Sequence, residues 1–337
     1  MTQSSLDNPP PFTQEVEFSH TINHQIAQFW QQREEEAFIG EEGVTLQWVK
    51  FTHPKHNKSI TVINGRIESF WKYQELFYDF YQLGYDIYSY DHRGQGVSGR
   101  VAKDPQVGHV TDFNHYILDL QSFVDTQLPH HQYQHNFLLS HSMGGAITTR
   151  YVQQHKHPFT SMVLGSPMFG IHIPLLFRPF AYSVSKLIDA LCPYNLLALG
   201  ESNYKSKPYK NNLLTQSEVR YAWFRDLYQN RPELQLGGPS SRWVWQGIQA
   251  AKMCIEQADK VDIPVLLLQG ESDIIVDNNA QDRFQIKMQQ ANLNCIKHQI
   301  PGAKHELFME KDALRNQTLQ QVEQFYNLFV ESNKRGR

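Results

Sequence analysis

The sequence predicts an α/β fold: a mostly parallel central sheet with helices on both faces and an inserted helical cap. Three observations carry that expectation. Short apolar runs of strand length alternate with helix-compatible segments over both ends of the chain. One run, Phe137-Leu138-Leu139, stops abruptly at Ser140-His141-Ser142-Met143-Gly144-Gly145-Ala146, and a helix-compatible segment from Gly145 to Gln154 follows at once. Between Pro167 and about Lys260 the alternation is missing, and prolines interrupt helix-like pieces instead.

Taken in order, residues 1–19 read as a mobile lead-in, polar and proline-rich at its start. From His20 to Phe38, Ile22, Ile26, Phe29 and Trp30 recur at helical spacing, with Arg33 to Glu36 as a charged end. Val44 to Phe51 alternates as a strand, and Ser59 to Ile63 is a second strand. The polar turn Asn64-Gly65-Arg66-Ile67-Glu68-Ser69 leads to a helix from about Trp71 to Leu83. Tyr85 to Tyr90 is a strand that ends in the glycine-rich loop Asp91 to Gly99, and a helix from about Asp112 to Leu128 precedes Phe137. Beyond the Gly145 helix come a strand at Ser161 to Gly165, then helix-like pieces at Leu176 to Leu191, Ser217 to Tyr228 and Trp243 to Ala258. A strand at Ile263 to Gln269, a helix from about Asn279, a strand at Cys295 to Ile300 and a terminal helix from about Asp312 complete the chain. The expected organisation is a core formed by 20–170 and 261–337, with the cap over 171–260.

The bulk composition narrows the function. With 337 residues, 40% of them hydrophobic, the chain can bury a substantial core. A net charge of −3 and no basic stripe argue against nucleic acid as a partner. Cys192, Cys254 and Cys295 are unclustered, so neither a disulfide framework nor a zinc site is expected and a reducing compartment fits. His130, His131 and His135 lie in a polar link before a strand, and no metal site is expected there. The amino terminus lacks a basic region followed by an apolar run, and no window of about 18 apolar residues occurs. The expectation is a soluble or peripheral protein.

The strand, sharp turn and helix around Ser142 form the pattern of a nucleophile elbow, usually written Gly-x-Ser-x-Gly; here Ser140 takes the first place and Gly144 the last. A serine hydroxyl needs a base, and the base needs a third group to orient it. In elbow folds these follow in the chain order serine, acid, histidine. Gly270-Glu271-Ser272-Asp273 ends a strand beyond the cap, which makes Asp273 the candidate acid, with Glu271 and Asp277 as nearby alternatives. His305 follows the last strand and is the candidate base; His298, inside that strand, is the weaker one. Oxyanion donors are expected from the backbone N–H groups of Met143 and Arg66. The Arg66 side chain is then free for another task, such as holding an acidic neighbour or a phosphate, or pairing with Glu68 at the surface. Asp91 to Gly99 is read as a structural loop, because it lacks Gly-x-Gly-x-x-Gly spacing.

With these stretches in place, the chain resembles the α/β-hydrolase superfamily in its monoacylglycerol-lipase-like branch. It looks most like the bacterial lysophospholipases of the inner-membrane-associated, L-two type. The resemblance runs from about Phe29 to the terminal helix and is most specific at Gly65-Arg66-Ile67-Glu68-Ser69, Asp91-His92-Arg93-Gly94-Gln95-Gly96, His141 to Ala146, Pro167 to Ile171, Gly237-Gly238-Pro239 and His305-Glu306. The broader branch carries His-Gly-x-Gly where this chain reads Asn64-Gly65-Arg66-Ile67. The resemblance implies hydrolysis of the acyl ester of a lysophospholipid through an acyl-enzyme on Ser142, without metal or organic cofactor. Alternatives are a monoacylglycerol lipase or carboxylesterase with the same triad, a transacylase, or a non-catalytic hydrolase-fold binding protein. The implied setting is cytoplasmic, with the inner membrane as a peripheral surface. In the cap, Ile171, Ile173, Leu175, Leu176, Phe177, Phe180 and Tyr182 form an apolar cluster, broken by Arg178 and Lys186, that suits membrane contact as well as ordinary packing on the sheet.

Overall fold

Successive side chains of a strand point to opposite faces, so an unbroken apolar run fits a strand covered on both sides. The computed structural model describes residues 12–171, 180–192 and 196–335, with side chains to 331. Among these residues the strands are β1 (Glu34–Ile39), β2 (Thr45–Phe51), β3 (Lys58–Ile63), β4 (Tyr85–Tyr90), β5 (His135–His141), β6 (Ser161–Gly165), β7 (Val265–Gly270) and β8 (Cys295–Ile300). They form one sheet in the order β1-β2-β4-β3-β5-β6-β7-β8. β1 and β2 pair antiparallel, as do β2 and β4; from β4 to β8 every neighbouring pair is parallel. The helices are α1 (Phe18–Asn23), α2 (Gln25–Gln31), α3 (Gln74–Gln82), α4 (Asn114–Thr126), α5 (Met143–Gln154), α6 (Ala181–Leu191), α7 (Glu218–Asn230), α8 (Ser241–Glu256), α9 (Asn278–Gln290) and α10 (Asp312–Arg335).

The period of two divides the core. Phe137, Leu139, Val163, Leu266 and Leu268 face α2, α3 and α10, which supply Phe29, Phe77, Val322 and Tyr326. Leu138, Met162, Leu164, Val265 and Leu267 face the opposite layer, built from Leu120 and Phe123 of α4, Ile147 of α5, Cys254 of α8 and Phe284 of α9. This is the mostly parallel, doubly covered sheet that the apolar runs predict.

Two expectations near the amino terminus do not hold. The helix read from His20 to Phe38 ends at Gln31, and its charged end is β1. Glu34, Glu35 and Glu36 are exposed on an edge strand, a place where charge blunts unwanted pairing. Glu34 sits opposite Lys50 in register and pairs with it at 3.0 Å, while Phe38 alone turns inward against Tyr90 and Phe123. The lead-in is also docked from residue 12 onward rather than mobile. Phe12 and Phe18 are buried, the Thr13 N–H donates to Asp79 at 3.0 Å, and the Glu15 N–H donates to Asp312 at 2.8 Å.

Between β6 and β7 the described residues carry α6, α7 and α8 and no strand. The helix read over Leu176 to Leu191 is seen from Ala181, its first residues lying outside the described ones. Ser217 and Ser240 cap α7 and α8 by accepting from the Arg220 and Trp243 N–H groups, which explains where both helices begin. A buried guanidinium fastens α7 to the rest of the molecule. Arg220 reaches Glu75 on α3 at 2.8 Å, Asp312 at the head of α10 at 2.9 Å and the Glu310 carbonyl at 2.8 Å. Removing one partner of a buried pair strands the other charges, at a cost of about 3–5 kcal/mol. Arg220→Ala is therefore expected to lower the urea midpoint by an amount equivalent to about 3–5 kcal/mol, and unfolding indistinguishable from wild type would show the cluster to be idle.

Candidate active site

β5 runs straight into the elbow. Ser140 is still in regular pairing, opposite Ile63 of β3 and Leu164 of β6, and its hydroxyl donates to the Val163 carbonyl at 3.3 Å. The small residue at the head of the motif thus needs no special backbone freedom here, and serine serves as well as glycine. The sharp change comes at Ser142, where φ is 52° and ψ −118°, a conformation costly for a residue with a side chain. It lifts the hydroxyl clear of the sheet, and α5 begins at Met143. A Cβ on Gly144 would stand 2.3 Å from the Ile63 carbonyl oxygen and 2.5 Å from that of Asn64; one on Gly145 would stand 2.6 Å from Pro167. Neighbouring chain therefore dictates both glycines.

The loops after β7 and β8 meet above this serine. Gly270 lets them approach, since a Cβ there would lie 2.4 Å from the Lys304 carbonyl oxygen, and the Ser272 N–H donates to the Ala303 carbonyl at 2.8 Å. His305 Nε2 lies 3.0 Å from Ser142 Oγ, and its Nδ1 lies 2.7 Å from Asp273 Oδ2. The other carboxylate oxygen accepts from the Ile275 N–H at 2.8 Å and the Val276 N–H at 3.3 Å. Burial alone pushes the Asp273 carboxyl up, but the hydrogen bond and charge of His305 and these two N–H donors hold it below its ordinary value. An ionised Asp273 fixes Nδ1 of His305 as the donor and leaves the Nε2 lone pair for the serine proton.

The alternatives are employed elsewhere. Glu271 accepts from the Gly302 N–H, Asp277 caps α9 through the Asn279 N–H, and His298 is exposed on β8. Among the described residues no group of three or more His, Cys, Asp or Glu side chains could hold a metal ion.

The turn after β3 completes the site. A Cβ on Gly65 would come within 3.1 Å of Ser142 Cβ, so the Gly65–Arg66 backbone passes directly over the Ser142 side chain. Among the described residues neither the Arg66 N–H nor the Met143 N–H has a hydrogen-bond acceptor, so both are available to a developing oxyanion. The turn is braced from below. Gln95 Nε2 donates to the Gly65 carbonyl at 2.7 Å and the Glu68 carbonyl at 2.8 Å. Asp91 accepts from Ser69 Oγ, the Phe70 N–H, the Val97 N–H and Asn64 Nδ2. The glycine-rich loop Asp91 to Gly99 is thus a structural brace: at Gly96, where φ is +56°, a Cβ would collide with the Asp91 carboxylate.

Glu68 does not pair with Arg66. It is buried, it accepts from the Gly65 N–H, Lys72 and Tyr73, and it lies 3.1 Å from His141 Nδ1. Arg66 instead donates through Nη1 to the Gly237 carbonyl at 3.3 Å, with its guanidinium 5.3 Å from the Trp243 ring centre. Sequence reasoning read Asp91 to Gly99 as structural without assigning the contacts of Asp91 and Gln95, and it missed the structural use of Glu68 and His141, although each sits in a stretch that marked the resemblance. Because the end of β3 and the turn after it leave no room at Gly144, Gly144→Ala is expected to cost about 1–3 kcal/mol and to push the elbow away from the turn. The check is a thermal-melt comparison, in which an unchanged midpoint would refute the close fit.

Comparison with known proteins gives the family. The family model described as serine aminopeptidase, S33 matches residues 54–312. Lysophospholipase L2 of Escherichia coli strain K12 is 34% identical over 323 residues, covering 94% of this chain and 94% of that one. The probable lysophospholipase L2 of Haemophilus influenzae is 32% identical over 307 residues, covering 90% of this chain and 95% of its own. A soluble variant of monoglyceride lipase from Saccharomyces cerevisiae, solved with a substrate analog, shares the fold with a TM-score of 0.67 at 21% identity, covering 88% of this chain and 96% of that one. The chain therefore belongs to the Hydrolase_4 family of α/β-hydrolases and is a relative of lysophospholipase L2.

Proposed function

We propose that the chain is a serine hydrolase that cleaves the fatty acyl ester of lysophospholipids, with Ser142, His305 and Asp273 as the triad. The observation that carries the reading is the chain of contacts Ser142–His305–Asp273, at 3.0 and 2.7 Å, beside the Arg66 N–H of the turn and the Met143 N–H of the elbow, neither of which has an acceptor among the described residues. Ser142 Oγ attacks the ester carbonyl while His305 Nε2 takes its proton. Asp273 stabilises the imidazolium that forms, and the Met143 and Arg66 N–H groups hold the oxyanion, each such donor contributing about 3–4 kcal/mol in comparable sites. His305 then returns the proton to the leaving glycerophospho-alcohol. A water deprotonated by the same histidine releases the fatty acid from the acyl-enzyme. No step calls on a metal or cofactor. The lysophospholipid is favoured over a neutral glyceride by the 34% identity to lysophospholipase L2 across 94% of both chains. The departure Asn64-Gly65-Arg66-Ile67 at the oxyanion turn points the same way.

The segment 171–260 acts in this reading as a cap that meets the lipid surface holding the substrate. α6 supports it: Phe180, Val184, Leu187 and Leu191 recur at helical spacing and are all exposed. Its other side is tied to α8, where Asp189 pairs with Arg242 at 2.9 Å and accepts from Trp245 Nε1 at 3.1 Å. Of the apolar cluster named from the sequence, Ile171, Phe180 and Tyr182 are among the described residues, while Ile173, Leu175, Leu176, Phe177 and Arg178 lie outside them. Among the described residues no helix is long and apolar enough to cross a membrane, so contact would be peripheral.

The deciding experiment compares fatty-acid release from a lysophosphatidylethanolamine and a monoacylglycerol of equal chain length. Faster turnover of the lysophospholipid, abolished by Ser142→Ala and reduced about 10³–10⁴-fold by Asp273→Asn, is the expected result. Preference for the glyceride would make the protein a neutral lipase, and turnover surviving in Ser142→Ala would remove the elbow from the mechanism. For the cap, Leu187→Glu with Leu191→Glu is expected to weaken binding to phospholipid vesicles at least about tenfold, since each buried leucine contributes about 1.5–3 kcal/mol. Hydrolysis of a water-soluble short-chain ester should persist in that variant, and unchanged vesicle binding would rule α6 out as the contact.

A further inference from the structure

Beneath the candidate triad lies a buried group of ionisable side chains that acyl transfer does not use: Glu68, Lys72, Tyr73, His141 and Glu306. Each is 5% exposed or less. Glu68 accepts from the Gly65 N–H, Lys72 Nζ at 2.8 Å and Tyr73 Oη at 2.7 Å, and His141 Nδ1 lies 3.1 Å from it. A carboxyl surrounded only by donors is a carboxylate. Lys72 also ion-pairs with Glu306 at 2.7 Å. Two carboxylates and one ammonium leave a surplus negative charge on buried side chains, where it is costly.

His141 supplies what is missing. Its Nδ1 faces Glu68 Oε2, and its Nε2 lies 3.2 Å from the carbonyl oxygen of His305. Both partners are pure acceptors. A neutral imidazole has one donor nitrogen and one lone pair, so either tautomer would set a lone pair against an oxygen. Turning the ring by half a rotation would bring carbon atoms to both oxygens and lose both bonds. Only the imidazolium satisfies both contacts.

We propose that His141 is held as a doubly protonated imidazolium that acts as a positioning residue, joining the oxyanion turn through Glu68 to the loop that carries His305. Its positioning role rests on the reading of Ser142, His305 and the Gly65–Arg66 turn given above; its charge does not. One charge thus sets the spacing between the donors that receive the oxyanion and the base that moves the proton. The electrostatic surroundings agree. Burial disfavours a charged His141 and Lys72 repels it, but the charge and hydrogen bond of Glu68, with the charge of Glu306, raise its pKa above the ordinary value. Glu68 is correspondingly held well below the usual carboxylate range, its burial outweighed by Lys72 and His141. The remaining neighbours are the His305 ring at 4.8 Å and the Phe308 ring at 6.2 Å. On the insertion side Phe224 lies 4.7 Å from Lys72 Nζ, and burial and Glu68 keep the Tyr228 phenol protonated.

The sign follows from linkage. A histidine whose folded pKa lies above its unfolded value of about 6.5 stabilises the fold fully below that pH and loses the contribution as pH rises through the folded pKa. The turn should therefore slacken on the alkaline side. The test is a nitrogen-15 spectrum of the full-length protein labelled at histidine, recorded at pH 8. One imidazole with both nitrogens protonated is expected, absent in His141→Gln and titrating at lower pH in Glu68→Gln. Glu68→Gln should also bring the alkaline limb of kcat for a soluble short-chain ester to lower pH, with KM little changed. A neutral His141 in wild type at pH 8 overturns the proposal. If His141→Gln fails to fold, a wild-type spectrum with no doubly protonated imidazole overturns it equally. Because the spectrum needs no substrate, a glyceride preference in turnover would overturn the lysophospholipid reading and leave this result standing.

Discussion

Everything in the site depends on β3 and β5 being parallel neighbours that end together. Ile63 stands opposite Ser140 in the pairing register, so the turn after β3 and the elbow after β5 leave the sheet at one height and side by side. The two carbonyl oxygens that crowd Gly144 are the same fact seen from the helix. Catalytic geometry of this kind is secured by hydrogen bonding in the sheet, which no single loop contact could match in rigidity. The loops after β7 and β8 then reach back across the top of the sheet, from two and three strand positions beyond β5.

A second layer of polar groups holds those loops. Gln95 and Asp91 grip the turn from the loop after β4, and Arg93 behind them is fixed by both oxygens of Asp119 at 2.6 Å. Buried polar groups of this kind are costly unless every one finds a partner. Around the turn they nearly all do, which makes the arrangement stiff. The glycines of the Asp91 to Gly99 loop serve this packing, and a phosphate has no place among them.

Much of this was legible in the residues. The meeting of Ser142, Asp273 and His305 was readable because Ser142 and Asp273 follow strands with plain apolar runs, β5 and β7, and the chain order of an elbow fold makes His305, just beyond β8, the remaining candidate. The inner strands were readable for the same reason. β1 was not, because Glu34 to Glu36 carry no alternation: their place is decided by pairing with β2, a contact made across a turn and invisible in local spacing. The docking of Thr13 escaped likewise, since its partners Glu75 and Asp79 lie more than sixty residues away. Glu68 stood in a recognised stretch, yet its use depends on Lys72 and His141 meeting it in space. Sequence spacing states which residues follow a strand; it does not state which buried charges must balance.

Arg220 touches parts of the chain that are remote from one another: α3, the start of α10, and the carbonyl of Thr13 at 3.4 Å. The insertion therefore does not behave as a module that can be lifted out. A chimera that exchanged it for the corresponding segment of a distant relative would remove the cation from between Glu75 and Asp312. Unless the donor brought an arginine to the same point, the recipient's amino-terminal segment would lose the hydrogen bond from Arg220 to the Thr13 carbonyl. Exchanging the segment between members of this fold must respect the attachment that Arg220 makes to α3 and to the start of α10.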